Sequence, residues 1–160
     1  MRKDNAPVLQ EVTPSLPRRL ISIVYESFLL AAVLFLVDLV FLLVVRALGG
    51  PIELYQPNAP VALRVLQAVL LGGVLWGYFG YCWTTSGQTL AMKTWKIEVL
   101  DLADRRLKWK QASIRFAIAL AGTAFFGATY VWALFDRDGQ FMHDRLAGTK
   151  QITFKRVKTK

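Results

Sequence analysis

The chain has 160 residues, 54% of them hydrophobic, with a mean hydropathy of +0.37. That composition excludes a disordered chain and is high for a soluble domain. The formal net charge of +9 comes from basic residues flanking hydrophobic segments, not from one groove-sized patch, so anionic lipid headgroups are the expected partner and nucleic acid is not.

Residues 1–17, MRKDNAPVLQEVTPSLP, hold three prolines and mixed charge and read as a flexible tail. Pro17 suits the first turn of a helix, and Arg18 and Arg19 then fall where a cytoplasmic interface would place them. The next 26 residues, Leu20 to Val45, carry only two charges, Glu26 and Asp38. As a helix they reach roughly 39 Å, enough to cross a bilayer with tilt to spare. The run is too long for the apolar region of a cleavable leader and lacks a small-residue exit, so it is expected to stay as an anchor.

Glu26 lies roughly 10 Å, about two turns, inside Arg19. An ionisable group at that depth costs a few kcal/mol and normally faces protein, water or a partner charge. It is expected to be a buried polar anchor, either in a structural ion pair or as a proton or cation site. Asp38 points roughly 120° away from Glu26 around the helix. One helix face is therefore not expected to hold both, and Asp38 is expected to meet water at the outer headgroups.

Gly49-Gly50-Pro51, Pro57 and Pro60 punctuate a short loop before the second hydrophobic segment, Val61 to Trp83. Trp76, Tyr78, Tyr81 and Trp83 crowd its far half, as rings at headgroup level do. Gly73 and Gly77 form a G-x-x-x-G with Gly80 close by, a weak sign of close helix packing. Cys82 stands alone, so no disulfide framework exists and the compartment cannot be read from it.

From Thr84 to Arg115 the character changes. Thr94 to Leu100 alternates like a strand, Asp101 to Arg105 reads as a polar turn, and Arg106 to Trp109 alternates again. A surface β-hairpin is expected there, because open strand edges do not survive in hydrocarbon. The third hydrophobic stretch, Phe116 to Phe135, is weakened in its middle by Gly122 and Gly127. Ala119, Thr123 and Gly127 are expected to share a small-residue face. A turn at 136–139, the segment FMHDRLAGT and a basic end containing a short strand, Gln151 to Phe154, complete the chain.

Basic residues number 4 in the tail, 2 around the first loop, 7 between Lys93 and Arg115, and 7 from Arg137 onward. If the third stretch crosses once, the sides carry 11 and 9; if it dips in and returns, 18 and 2. The positive-inside rule favours the second arrangement, with both termini cytoplasmic and the terminal strand able to pair with the hairpin.

PRRLISIVYES opening the first hydrophobic helix, SGQTLAMKTWKIEVLD after the second, Arg115 opening the third, and WALFDRDGQFMHDRLAGT near the end resemble the RDD family of small bacterial membrane proteins. The resemblance covers about Pro17 to Thr153. It matches Arg19 to the family's arginine and Asp144 to its later aspartate, while Glu26 stands where the family has an aspartate in the first helix. That change keeps the charge and adds a methylene. The resemblance implies location in the bacterial cytoplasmic (inner) membrane and, for some members, exchange of sodium or other monovalent cations for protons.

The His143-Asp144-Arg145 run holds the chain's single histidine. No further ligands for a metal and no activated serine are evident, so no cofactor and no enzymatic activity are expected. Asp144 reads as a carboxylate paired with an arginine at the membrane face, and Arg19, Arg115 and Arg145 are the candidate partners for it and for Glu26.

The residues thus predict a mainly α membrane helical bundle of three hydrophobic segments, the third bent or re-entrant, with a small cytoplasmic β-hairpin and a short C-terminal strand. One RDD-like domain, 18–154, lies between the tail and a basic end, 155–160. Two functions stay open. One is transport of monovalent cations, protons or small solutes, with Glu26 exchanging partners and Asp38 as a second station; so small a bundle would then work as a homo-oligomer or within a membrane complex. The other is a non-catalytic interaction or assembly subunit whose basic face binds lipid headgroups or a partner protein.

Overall fold

The computed structural model describes residues 8–51, 59–124 and 127–157. Strand β1 (Val8–Val12) leads into α1 (Leu16–Ala47), whose first turn takes Pro17 where a missing N–H leaves no bond unmade. Arg46 sits in the last turn of α1, at the negative end of the helix dipole, and Gly49, with φ +79°, turns the chain out. Helix α2 (Val61–Thr85) then runs back beside α1: Asp38 meets Gln67 near one end of the pair, and Glu26 meets Tyr78 towards the other. Thr89 opens the short α3 (Leu90–Thr94), its hydroxyl accepting from the Met92 amide at 3.3 Å. After β2 (Glu98–Asp101) come α4 (Trp109–Ala124), α5 (Ala128–Val131) with a 3-10 turn at Trp132–Leu134, α6 (Met142–Leu146) and β3 (Thr149–Val157).

β3 is the middle strand of an antiparallel sheet ordered β1-β3-β2, with Val12 opposite Thr153 and Glu98 opposite Ile152. β1 precedes α1 and β2 follows α2, so the sheet ties the start of α1, the end of α2 and the last strand to one end of the helix pair. The pairing of the C-terminal strand with the 98–101 segment matches expectation. Three details differ. Val8 to Val12, expected in a flexible tail, form a strand, because β3 is long enough to offer them an edge. Residues 1–7 and 158–160 of the expected tails lie outside the described residues, as does Pro57 of the first loop, and 155–157 of the basic end belong to β3.

The third difference concerns the hairpin. The polar turn is present: Asp101 Oδ1 accepts from the amides of Ala103 and Arg105, both at 2.8 Å. The chain after it does not pair back as a strand; it leads into α4 with Leu107 buried, and β2 takes β3 as its partner. Tertiary pairing with a nine-residue strand supplies more ladder than the local return could.

Among the described residues, α1 and α2 are the helices long and apolar enough to cross a membrane. The stretch 116–135 is not one continuous helix: α4 stops at Ala124, Gly127 adopts φ +76° with its amide on the Gly122 carbonyl, and α5 starts at Ala128. The break makes Gly127 a turn residue and no part of a helix face. The expected packing of Gly73 and Gly77 is not seen among the described residues, none of which comes within 4 Å of a Cβ built on either. Gly80 is the close-approach position, where the Trp109 ring of α4 presses on α2.

The burial pattern of α1 is inverted relative to a soluble helix. Its buried residues include Arg19, Ser22 and Glu26, while Phe28 is 75% and Phe35 71% exposed. Polar groups face protein and large apolar ones face outward, as a lipid surround demands. Beneath the sheet, Trp83, Val99, Leu107 and Ala112 form an apolar core flanked by Phe79, Met92 and Phe116. This core fixes the ends of α2, β2 and α4 against one another.

Candidate functional site

The polar side chains singled out from the sequence separate into two networks with a cavity between them. The first is built on Glu26, 6% exposed. Its Oε1 accepts from the Tyr78 hydroxyl; its Oε2 accepts from the Thr89 hydroxyl and, at 3.3 Å, from the Ala91 amide. The Leu90 amide donates to Tyr78 at 3.4 Å. Glu26 thus clamps α1 to the junction of α2 and α3 through neutral donors. Among the described residues no cation lies within ion-pair distance of it, so the expected arginine partner is absent. Three neutral donors meet the carboxylate oxygens in place of a salt bridge.

Asp38, half-buried, has a protein partner as well. It accepts from Gln67, itself buried, and so joins α1 to α2, a contact the sequence did not indicate. Both acids of α1 contact α2 despite their angular separation. The physical reason is reach: Glu26 points to the α2–α3 junction, and the long phenol of Tyr78 spans the remaining angle.

The second network surrounds Asp144, which is fully buried. Arg115 of α4 forms an ion pair with Asp144 Oδ1 and donates to Thr149 Oγ1 at 2.9 Å. Asp144 Oδ2 accepts from Gln151 Nε2 at 3.1 Å and from the Phe141 amide at 3.3 Å, capping α6. The guanidinium of Arg115 lies over the Trp83 ring, 4.8 Å from its centroid. Of the candidate arginines, Arg115 is therefore the partner of Asp144. Arg145 is not: it faces outward and binds Asp136 at 3.0 Å and Asp138. Hydrogen bonds from Arg145 hold the Asp136 carboxyl below its ordinary range.

His143 is 4% exposed and packs between the Tyr130 and Phe141 rings. Burial, reinforced by the charges of Arg115 and Arg19, holds its pKa well below 6.5, so the ring is neutral. Its Nδ1 has no partner among the described residues. Arg19, 2% exposed, donates Nη2 to the Gly139 carbonyl and lies 4.3 Å from the centroid of Phe141. Its Nε and Nη1 are buried without partners among the described residues.

α1 and α4 each pack against α2, and a cavity of about 290 Å³ lies between them. Arg19, Glu26, Arg115, His143 and Gln151 give it a polar floor and side, while Leu30, Leu75, Phe116 and Leu120 line the part farther into the helices. Ala119 and Thr123, expected to pack on another helix, line this space. The structure thus brings Arg19, Glu26, Arg115 and His143 to one cavity, buries Asp144 behind it, and leaves Asp38 and Arg145 elsewhere.

Residue-type reasoning missed Tyr78, Thr89, Trp83 and Gln151. Tyr78 and Trp83 read as interfacial rings, whereas one binds Glu26 and the other, 6% exposed, stacks on Arg115. Thr89 carried a usable signal, since S/T-x-x at a helix start marks an N-cap, but its second bond to Glu26 is tertiary.

Two apolar helices with polar side chains turned inward mark a membrane protein. Neither a curated protein nor a solved structure matches the chain. The RDD family pattern matches residues 13–148, spanning Arg19, Glu26, Arg115 and Asp144. The chain belongs to the RDD family.

Proposed function

We propose that this protein is a non-catalytic component of the bacterial cytoplasmic membrane that binds and passes on a small solute through the cavity between α1 and α4. It is multi-pass, with both termini and the sheet on the cytoplasmic side, where the basic residues collect near anionic headgroups. The broken stretch 116–135 enters and leaves on that same side, and assembly as a homo-oligomer or with other membrane subunits covers its bend. The observation that carries the reading is the cavity itself, a polar recess lined by buried Arg19, Glu26 and His143 at the root of the membrane helices.

Glu26 serves this site as an anchor. Three of the acceptor positions of its carboxylate are occupied by Tyr78, Thr89 and Ala91, and two arginines share the cavity, which disfavours a cation there. The solute reading is therefore preferred to exchange of sodium for protons. Sodium-dependent proton flux in everted vesicles that vanishes in Glu26→Gln would reverse that preference.

Cysteine labelling tests the site directly. In a Cys82→Ser background, Ser22→Cys in the cavity wall should react with a small water-soluble methanethiosulfonate far faster than lipid-facing Phe28→Cys. Equal, slow reaction at both positions sinks the reading.

A further inference from the structure

The cavity has an electrostatic signature beyond its shape. Four of its buried polar atoms are hydrogen-bond donors with no partner among the described residues: Arg19 Nε and Nη1, Arg115 Nε and Trp83 Nε1. Buried donors of this kind are costly when unmet, and a buried guanidinium without a counter-charge costs several kcal/mol. Arg115 has its counter-charge in Asp144. Arg19 has a carbonyl and an aromatic face but no carboxylate within ion-pair distance among the described residues. The nearby acids are engaged elsewhere, Asp136 with Arg145 and Glu26 with its three neutral donors. The Arg19 end of the cavity therefore holds a guanidinium without a carboxylate partner among the described residues, and unspent donors.

Its other end is apolar. Ile23, Leu30, Leu75, Phe116 and Leu120 line it, and the lining residues Ser27 and Leu120 are exposed on the outer surface, which places an opening between α1 and α4. That opening faces the surface where Phe28 and other apolar side chains are turned to lipid. Glu26 sits about two turns deeper than Arg19 on α1, roughly 10 Å along the axis, and its negative charge would keep an anionic group at the Arg19 end.

Resting on the reading of this cavity as a binding site, we propose that its ligand is an anion-headed amphiphile, a phosphate or carboxylate carried on an apolar chain. The head accepts from one free donor of Arg19, Nε or Nη1, and from Arg115 Nε, and the chain leaves between α1 and α4 toward the bilayer. A guanidinium with a free donor beside a second arginine offers charge-assisted bonds to the oxygens of such a head, one from each side chain. A volume near 290 Å³ accommodates a headgroup and the first part of a chain, not a whole lipid, consistent with a mouth open to hydrocarbon.

The test uses the full chain in nanodiscs of equal phosphatidylglycerol and phosphatidylcholine, with lipid retained after release counted by native mass spectrometry. The parent should retain phosphatidylglycerol about tenfold over phosphatidylcholine, the ratio that one charge-assisted contact of roughly 1.4 kcal/mol supplies. Arg19→Gln should bring the ratio close to one, whereas Arg106→Gln on the exposed surface should leave it unchanged. If Arg19→Gln does not fold, Leu120→Trp at the mouth should lower retention instead. Equal retention of the two lipids by the parent, or selectivity lost equally in Arg106→Gln, overturns the proposal. Inorganic phosphate at millimolar concentration should not displace the retained lipid; if it does, the ligand is a free anion and the amphiphile assignment is wrong. Labelling of Ser22→Cys can succeed while lipid selection fails, so the two readings fall separately.

Discussion

Arg115 and Asp144 show how a charge pair behaves when both members leave water. Their side chains are 3% and 0% exposed, and Thr149, Gln151 and the Phe141 amide supply the remaining bonds. Removing one partner leaves a buried charge uncompensated, so Asp144→Ala should cost about 3–5 kcal/mol, read from thermal unfolding in detergent. Replacing both at once, Arg115→Met with Asp144→Leu, should recover much of that loss, because two apolar side chains need no counter-charge. His143 adds a pH dependence. Its folded pKa lies below the unfolded 6.5, so the unfolded chain binds the proton that the folded chain refuses. Stability is therefore full above about 6.5 and declines as pH falls below it. The thermal midpoint of the parent should drop on going from about pH 7 to pH 5, and His143→Gln should flatten that drop. A parent midpoint that stays level across this range would mean that the ring protonates in place.

Among the elements, the α2–α4 contact is the most sharply defined by one residue. A methyl at Gly80 would overlap the Trp109 ring, while one at Gly77, a turn earlier on α2, meets nothing within 4 Å. Gly80→Ala should destabilise by about 1–3 kcal/mol through overpacking. Gly77→Ala should be neutral or gain up to about 1 kcal/mol, since alanine is the better helix former. Paired unfolding measurements check both, and equal effects would mean that α2 and α4 do not approach as described. The G-x-x-x-G spacing pointed to the right helix and to the wrong glycines, because spacing along one helix carries no information about where a neighbour crosses it. The third hydrophobic stretch was better read. Gly122 and Gly127 marked a weak centre, and the chain indeed turns there, with Gly127 in a left-handed conformation and Gly122 pressed by the Thr129 side chain.

For the whole molecule, the sheet is the feature that joins the parts. Because β1, β2 and β3 belong to one sheet, the start of α1, the end of α2 and the C-terminal strand share one end of the helix pair. On the topology proposed above, the positive-inside rule expects that end to face the cytoplasm. A fluorescent protein fused after Lys160 should be bright, and alkaline phosphatase at the same position inactive; the opposite pair of results would reverse the orientation. The sequence by itself determined the membrane character, the two apolar helices, the polar turn after β2 and the interruption near Gly127. These follow from composition, run length and local backbone preference, which neighbours in the chain set among themselves. It also singled out Arg19, Glu26, Arg115 and Asp144, since charge beside hydrocarbon is conspicuous in any listing of residues. Only the tertiary structure decided who meets whom: Arg115 with Asp144, Glu26 with Tyr78 and Thr89, Asp38 with Gln67, and Arg19 with free donors in a cavity. Partners 29 to 63 residues apart in the chain are chosen by how helices cross and how far side chains reach. Sequence spacing contains neither quantity.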